Sequence, residues 1–251
     1  MEEIKFITCS GVNEYTNVEQ MLSLAEKYPS VEFGVQVSGL KCSFETPRYR
    51  WIHQVQNFVQ KSKKRVNLAL HINPKWVEGF CFNDLAPELL ELLMLNGADD
   101  KVLFRRVQLN FKIGRDKTPD LALLLKSIEA YSTQERRFIL SYNAANAAFI
   151  KQVYAAGCRF DCLYDTSHGE GITSEYREAP AFADAEILQG YAGGLSPENV
   201  AGELDKISAV MPADRSFFID AEGRLKNQDG IVSLEKCESY IVNALTWQAR
   251  H

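Results

Sequence analysis

The chain has 251 residues, of which 46% are hydrophobic and 24% are charged. This is the composition of a globular protein and excludes a disordered or fibrous one. The length fits one large domain or two small ones, and it allows a large core without disulfides or structural metal. The formal net charge is -5 and there is no long basic stretch, so no binding to nucleic acid is expected.

The cysteines and the first residues predict a cytoplasmic protein. The six cysteines form no CxxC pair and no zinc-ligand pattern, which is typical of reduced, mostly buried thiols in a cytosolic chain. Met1-Glu2-Glu3 is acidic and is followed at once by a predicted strand, so no signal peptide is expected. No apolar run approaches the roughly 20 residues that span a bilayer, so no membrane association is expected.

Short apolar runs rich in β-branched and aromatic residues alternate along the chain with longer segments of helical spacing. Eight buried strands are predicted, at residues 4–9, 31–37, 66–72, 106–111, 138–142, 160–165, 187–193 and 217–221. Eight helices are predicted, at about residues 18–28, 49–63, 86–96, 120–131, 144–156, 178–185, 197–210 and 234–250. Strict alternation of strand and helix predicts an all-parallel sheet with right-handed crossovers.

Closing this sheet gives a single α/β domain, a (β/α)8 or TIM barrel over residues 1–251. An open doubly wound sheet is the competing fold. It would normally have a GxGxxG-like turn after the first strand, where this chain has Cys9-Ser10-Gly11-Val12-Asn13. The longest irregular stretches, residues 38–48, 73–85 and 166–177, all follow strands, on the face where barrels carry their chemistry.

Polar residues at the predicted carboxyl ends of the strands converge on one mouth of the barrel. They are Cys9, Gln36, His71, Asn110, Asn143, Asp165, Gly193, Gly194, Asp220 and Glu222. As a set they predict a ligand site. The spacing of His71 and His168, with Asp165 or Glu170 as a third ligand, matches no recognised metal motif, so no metal is predicted.

Two residues of this set, Cys9 and Asp165, and also Arg48 have both a functional and a structural interpretation. Cys9 is either a buried structural thiol or a reactive thiolate or base. Asp165 ends an apolar strand, so its carboxyl is either a catalytic acid with a raised pKa or a hydrogen-bonded structural group. Arg48 precedes the second helix and either binds a substrate carboxylate through two parallel hydrogen bonds or lies in solvent.

The segment after the seventh strand has the features of a phosphate site. Gly193 and Gly194 let the backbone approach an anion, and Ser196-Pro197-Glu198 indicates a helix N-cap at Ser196 with free N–H groups behind it. This position is a recurrent phosphate site in barrels. The alternative is that the glycines only turn the chain. The predicted ligand is therefore a phosphorylated small molecule.

Several short motifs resemble those of phosphoribosylanthranilate isomerases, in the same order along the chain. Lys5-Phe6-Ile7-Thr8-Cys9-Ser10-Gly11 resembles the K-I-C-G opening, with one residue more between cysteine and glycine. The segment 192–200, A-G-G-L-S-P-E-N-V, is close to A-G-G-L-x-P-x-N-V and is the most specific match. The other matches are Thr46-Pro47-Arg48-Tyr49 to S-P-R-x, Val107-Gln108-Leu109-Asn110 to V-Q-L-H, Leu163-Tyr164-Asp165 to L-L-D, and Ile219-Asp220-Ala221 with Gly223 to D-x-S-S-G-V-E.

The resemblance implies a (β/α)8 barrel that performs an Amadori rearrangement of an aminoaldose to an aminoketose, without cofactor, as in tryptophan biosynthesis. It implies that Asp165 is the general acid that opens the furanose ring and that Cys9 is the general base. It implies that Arg48 holds the anthranilate carboxylate. It implies that the phosphate is bound by Gly193, Gly194 and backbone after the eighth strand. From their places at or just after the strand ends, Asn110, Asp220, Glu222 and Gly223 are also predicted to bind the substrate. We expect a monomer or a homodimer.

The departures from the family pattern predict an altered ligand. The G-G-T-G after strand six is replaced by His168-Gly169-Glu170-Gly171-Ile172, and S-S-G-V-E by Glu222-Gly223-Arg224-Leu225-Lys226. The second change puts a carboxylate where the phosphate would lie. Asn110 stands in place of the histidine of strand four. Two alternatives therefore stay open: a barrel lyase or hydrolase using Asp165, His168, Glu170 and Glu222, and a non-catalytic barrel that binds a metabolite.

Overall fold

Eight parallel strands close into one barrel in the computed structural model, which describes residues 3–39, 41–110, 113, 118–165 and 177–251. Each strand pairs with the next along the chain, and β8 pairs with β1. The predicted (β/α)8 barrel is confirmed. The strands are β1 (Ile4–Val12), β2 (Val31–Val37), β3 (Asn67–Ile72), β4 (Arg106–Leu109), β5 (Arg137–Tyr142), β6 (Asp161–Asp165), β7 (Gln189–Ala192) and β8 (Phe217–Ala221).

Helices surround the barrel, and α8 packs against β1. No helix within the described ranges is long and apolar enough to cross a membrane. The helices are α1 (Val18–Lys27), α2 (Pro47–Ser62), α3 (Pro74–Cys81), α4 (Pro87–Met94), α5 (Leu121–Tyr131), α6 (Ala147–Ala155), α7 (Val200–Ser208) and α8 (Leu234–Gln248).

The helix predicted at residues 178–185 is wrong, because residues 177–188 contain no helix. Carbonyl groups that would accept hydrogen bonds within a helix instead accept them from side chains of other segments. The Tyr191 hydroxyl donates to the Glu178 carbonyl at 2.8 Å, and Arg215 donates to the Phe182 carbonyl at 2.7 Å. Conversely, α3 lies in a stretch predicted to be irregular, and Pro74 stands at its first turn, where the missing N–H costs nothing.

Apolar side chains pack in two places. The larger cluster fills the space between the sheet and the helices, and a smaller one, Ile139, Leu163, Ala192 and Phe218, lies inside the barrel. Gly190 belongs to this interior, since a Cβ there would lie 2.1 Å from the Phe218 ring. The bulky Phe218 therefore requires glycine at position 190.

A buried ionic cluster fills the barrel near the amino ends of the strands. Arg106 donates to Glu32 at 2.9 Å and to Asp161 at 3.1 Å, and the Thr8 hydroxyl donates to Glu32 at 2.9 Å. The Arg106 guanidinium also lies 4.0 Å from the centre of the Phe218 ring. The charges are paired inside the barrel, as buried charges must be. This cluster and the apolar layer above it form the floor beneath the polar carboxyl ends of the strands.

Candidate active site

Alternation along β1 decides which side chains reach the mouth. The Ser10 hydroxyl donates to Asp220 Oδ1 at 2.5 Å inside the barrel, on the same face as Thr8. Cys9 lies between them and points outward, where its thiol faces Cys237 of α8. Cys9 is fully buried, and burial followed by the Cys237 contact raises the pKa of its thiol well above the usual value. The sequence predicts that Cys9 and Asp165 lie together at the mouth. The structure instead places the Cys9 thiol outside the barrel.

Asp220 is the most perturbed carboxyl at the mouth. Burial raises the pKa of Asp220 to about 8, with smaller contributions from the charges of Glu222, Glu32 and Asp165, while the Ser10 hydrogen bond opposes the rise. Asp165 is half-buried at the end of β6, and its negative charge contributes to the raised pKa of Asp220. The mouth therefore combines two carboxyl groups, one from β6 and one from β8.

The other predicted side chains lie around this pair in hydrogen-bonded groups. Gln36 donates to Glu222 at 2.5 Å, and Lys226 is ion-paired with the same carboxylate at 2.6 Å. Asn110 accepts a hydrogen bond from Gln108 at 2.8 Å and donates to Asn73 at 3.3 Å. Lys226 therefore offsets the carboxylate that Glu222 brings to the position after β8.

Two further predicted residues, Asn143 and Gly223, lie in turns that follow their strands. Asn143 accepts hydrogen bonds from the backbone N–H groups of Ala145 and Asn146, so its side chain shapes the turn before α6. Gly223 begins a short 3₁₀ turn directly after Glu222, and a Cβ on it would meet nothing within 4 Å. Glycine is therefore not required there by its immediate neighbours.

Arg48 is buried at the rim of the barrel and is not exposed to solvent. Its Nη1 donates to the Gln36 carbonyl at 2.7 Å, and its Nε is ion-paired with Glu14 of the loop after β1. The Arg48 side chain is 8% exposed and that of Glu14 20%. A carboxylate therefore already occupies the position that the sequence assigned to the carboxylate of the ligand. Glu14 was not predicted, because nothing in its sequence context marks it.

The glycine loop after β7 has a left-handed backbone that is held by side chains. Gly193 and Gly194 have φ angles of +92° and +67°, which favour glycine. Arg177 donates to the Ala192 and Gly193 carbonyls at 2.7 and 3.2 Å. Within the part of the chain that the structure describes, the N–H groups of Gly193 and Gly194 donate no hydrogen bond. Consecutive free N–H groups of this kind can bind an anion.

The predicted N-cap of the following helix is wrong by three residues. Helix α7 begins at Val200 with Asn199 in the N-cap position. The Asn199 side chain instead joins the loop: its Oδ1 accepts from the Ser196 N–H and its Nδ2 donates to the Gly194 carbonyl, both at 2.8 Å. Ser196–Asn199 forms a turn that leads into α7, with the Val200 N–H donating to the Ser196 carbonyl at 3.0 Å, and the Asn199 side chain fixes the loop against it.

Arg177 is expected to be important for this loop, since it is buried and also ion-paired with Glu203 at 2.7 Å. We predict that Arg177→Met lowers the free energy of unfolding by about 2–4 kcal/mol, because three acceptors lose their donor. Urea denaturation checks this, with Arg159→Met as the control, since the Arg159–Glu186 pair is largely exposed. A loss no larger than in the control would show that Arg177 does not hold the loop.

No group of three or more histidine, cysteine or acidic side chains among the described residues is arranged to hold a metal ion. His168 and Glu170, considered as ligands or catalytic groups, and the loop 168–172 lie outside the described residues. All six cysteines are free.

Comparisons with known proteins give a fold but no sequence match. No model of a known protein family matches the chain, and no curated protein matches it. Among solved structures, phosphoribosylanthranilate isomerase from Thermotoga maritima superposes with a TM-score of 0.56 at 17% identity, over 98% of this chain and 100% of that one.

Two further solved structures agree. The enzyme from Thermus thermophilus gives a TM-score of 0.53 at 17% identity, over 96% of this chain and 98% of that one. A phosphoribosylanthranilate isomerase in complex with reduced 1-(o-carboxyphenylamino)-1-deoxyribulose 5-phosphate gives 0.56 at 15%, over 98% and 100%. Across nearly its whole length, the chain therefore has the barrel fold that phosphoribosylanthranilate isomerases have.

Proposed function

We propose that this protein is an isomerase that catalyses an Amadori-type rearrangement of a phosphorylated sugar amine by acid–base catalysis. The observation that carries the proposal is the pair of carboxyl groups at the mouth, Asp165 and Asp220, with the pKa of Asp220 near 8. Titratable groups poised near the working pH are typical of catalytic acids and bases. Further support comes from the barrel likeness to phosphoribosylanthranilate isomerases. The six free cysteines agree with a cytoplasmic enzyme.

In the proposed mechanism Asp165 is the general acid. It protonates the ring oxygen of the aminoaldose, so that the furanose opens to a Schiff base. A base then removes the proton from the adjacent carbon, and the resulting enolamine becomes the aminoketose. The substrate gains one proton from Asp165 and gives one to the base, so the product is its isomer, and proton exchange with water restores both groups before the next turnover.

We propose Asp220 as the base, in place of Cys9. In the K-I-C-G motif of the isomerases the cysteine directly precedes the glycine. In this chain the residue directly before Gly11 is Ser10, not Cys9. Ser10 faces Asp220 inside the barrel, whereas the Cys9 thiol faces α8. A buried carboxylate with few donors is a strong base once ionised, which suits it to removing a proton from carbon.

The remaining residues are proposed to bind the substrate. The free N–H groups of Gly193 and Gly194 would hold the phosphate together with backbone at Gly223, and a carboxylate of the substrate would displace Glu14 from Arg48. Asn110 and Glu222 would line the sugar. In this arrangement Lys226 keeps the Glu222 carboxylate from repelling the phosphate, since the two are ion-paired.

The proposed acid and base together predict the pH profile of turnover. Asp220 acts only when ionised, and its pKa lies near 8. Asp165 acts only when protonated, so we expect a bell-shaped profile of kcat/KM for phosphoribosylanthranilate, with one limb near pH 8 that Asp220→Asn removes. The profile is measured from the fluorescence of the anthranilate ring, before and after alkylation of exposed thiols, which should not change it. A rate independent of pH between 6 and 9 would exclude Asp220 as the base.

A further inference from the structure

His71 is a buried histidine that the proposed mechanism does not use. Its side chain lies inside the barrel on β3 and is 2% exposed. Its Nε2 has no hydrogen-bond partner among the described residues. A buried, unsatisfied polar atom destabilises a fold, so an apolar residue would be the more stable choice in a purely structural role.

Gly34 accounts for the position of His71. A Cβ on Gly34 would lie 2.6 Å from Ser10 Oγ and 2.9 Å from His71 Nε2. Because glycine leaves this space free, the two side chains from β1 and β3 approach one another over β2. The polar atoms of Ser10 and His71 are therefore neighbours inside the barrel, and Ser10 in turn donates to Asp220.

The chemistry of the three groups allows one continuous chain of hydrogen bonds. Ser10 gives its only proton to Asp220, so the lone pairs of its oxygen are left to accept. Burial lowers the pKa of His71 to about 4, so the imidazole is neutral at pH 7 and carries one N–H. With that proton on Nε2, the imidazole has its donor at the space over Gly34, where Ser10 Oγ also lies.

We propose that His71 is a positioning residue that acts through Ser10: its Nε2–H donates to Ser10 Oγ while the Ser10 hydroxyl donates to the ionised Asp220. Hydrogen bonds in such a chain polarise and strengthen one another. The chain therefore stabilises the carboxylate form of Asp220 without placing a charge beside it. The inference rests on the proposed function only in taking Asp220 as the base.

Other ionisable groups also face the two ends of this chain. Those near Asp220 are Glu32, Asp165 and Glu222 inside the barrel and Cys9 and Tyr240 on the helix side. Those near His71 are Glu222 and Arg106. All of them are present in wild type and in each variant below, so their effect cancels in the comparison.

Carboxyl ¹³C NMR measures the titration of Asp220 directly and needs no substrate. We expect His71→Leu, which removes the donor, to raise the titration midpoint of Asp220 by roughly half a pH unit. We expect His71→Gln to restore the wild-type midpoint, because its amide presents a donor close to the position of Nε2. In the Ser10→Ala background, His71→Leu should have no further effect, since the residue through which it acts is gone.

Two results would overturn the proposal: an unchanged Asp220 midpoint in His71→Leu, or a shift that persists in the Ser10→Ala background. Wild type supplies a test that no folding defect can affect. Long-range ¹H–¹⁵N NMR should find the proton of neutral His71 on Nε2, with a resonance that moves as Asp220 titrates, and a proton on Nδ1 would contradict the proposal. Because none of these measurements uses turnover, a failed isomerase assay would remove the proposed function and leave this inference intact.

Discussion

Replacing Asp165 by asparagine is expected to lower kcat/KM for phosphoribosylanthranilate by about 10²–10⁴-fold, because the amide cannot protonate the ring oxygen. Asparagine has nearly the same shape and keeps the hydrogen-bonding capacity at the end of β6. The barrel should therefore remain folded. Steady-state kinetics with fluorescence detection measures the loss, and the circular dichroism of the variant confirms the fold.

Cys9→Ser is the matched control for this loss. Its side chain lies on the outer face of β1, against Cys237, so we expect turnover to be retained. Asp220→Asn should lose activity yet be at least as stable as wild type at pH 7. The reason is that the pKa of Asp220 is raised in the folded protein. Above about pH 4 the carboxyl ionises more readily in the unfolded chain than in the folded one, so its burial lowers the free energy of unfolding. Loss of turnover in Cys9→Ser with full activity in Asp165→Asn would refute the assigned roles.

Replacing Arg106 by methionine is expected to cost about 3–5 kcal/mol of the free energy of unfolding, because it leaves the buried Glu32 without a counter-ion and Asp161 with only the partly exposed Arg137. Glu32 and Asp161 are 1% and 4% exposed, and both are ion-paired with Arg106. Methionine keeps most of the packing against Phe6 and Phe218. The loss therefore reports the unpaired charges rather than a cavity, and urea denaturation at pH 7 measures it.

The control for Arg106 is Arg137→Met. Arg137 is 35% exposed and lies 3.5 Å from the Asp161 carboxylate, so we expect a loss below about 1 kcal/mol. The cost of Arg106→Met should also shrink as the pH falls, because burial raises the pKa of Glu32 and a protonated Glu32 no longer needs a counter-ion. Equal losses in the two variants, or a loss independent of pH, would contradict the account of the ionic cluster.

The fold could be predicted because its signal is local. Each strand is a short apolar run and most of the helices have their own amphipathic spacing, so strict alternation leads to the barrel. The failure at residues 178–185 has a long-range cause. The carbonyls of that segment are satisfied by Tyr191 and Arg215, which come from β7 and from just before β8, and no pattern within the segment announces them.

The candidate site was predictable only in part. Strands of a parallel sheet are buried on both faces, so their hydrophobic pattern does not tell which residues face the barrel interior. The pattern of β1 therefore does not show that Ser10, and not Cys9, faces the interior. Ion pairs such as Arg48–Glu14 and Arg177–Glu203 join residues 34 and 26 positions apart, which no single-sequence pattern encodes. A glycine within β2, at Gly34, was a usable signal of close approach.

The most direct test of the proposed function is to mix the purified protein with phosphoribosylanthranilate at pH 8 and follow the fluorescence of the anthranilate ring. If the protein is the proposed isomerase, the substrate signal decays in a first-order process, the aminoketose is the sole product, and the rate depends on Asp165. A folded protein that leaves the substrate unchanged would contradict the isomerase proposal and favour a barrel that binds or cleaves a different metabolite.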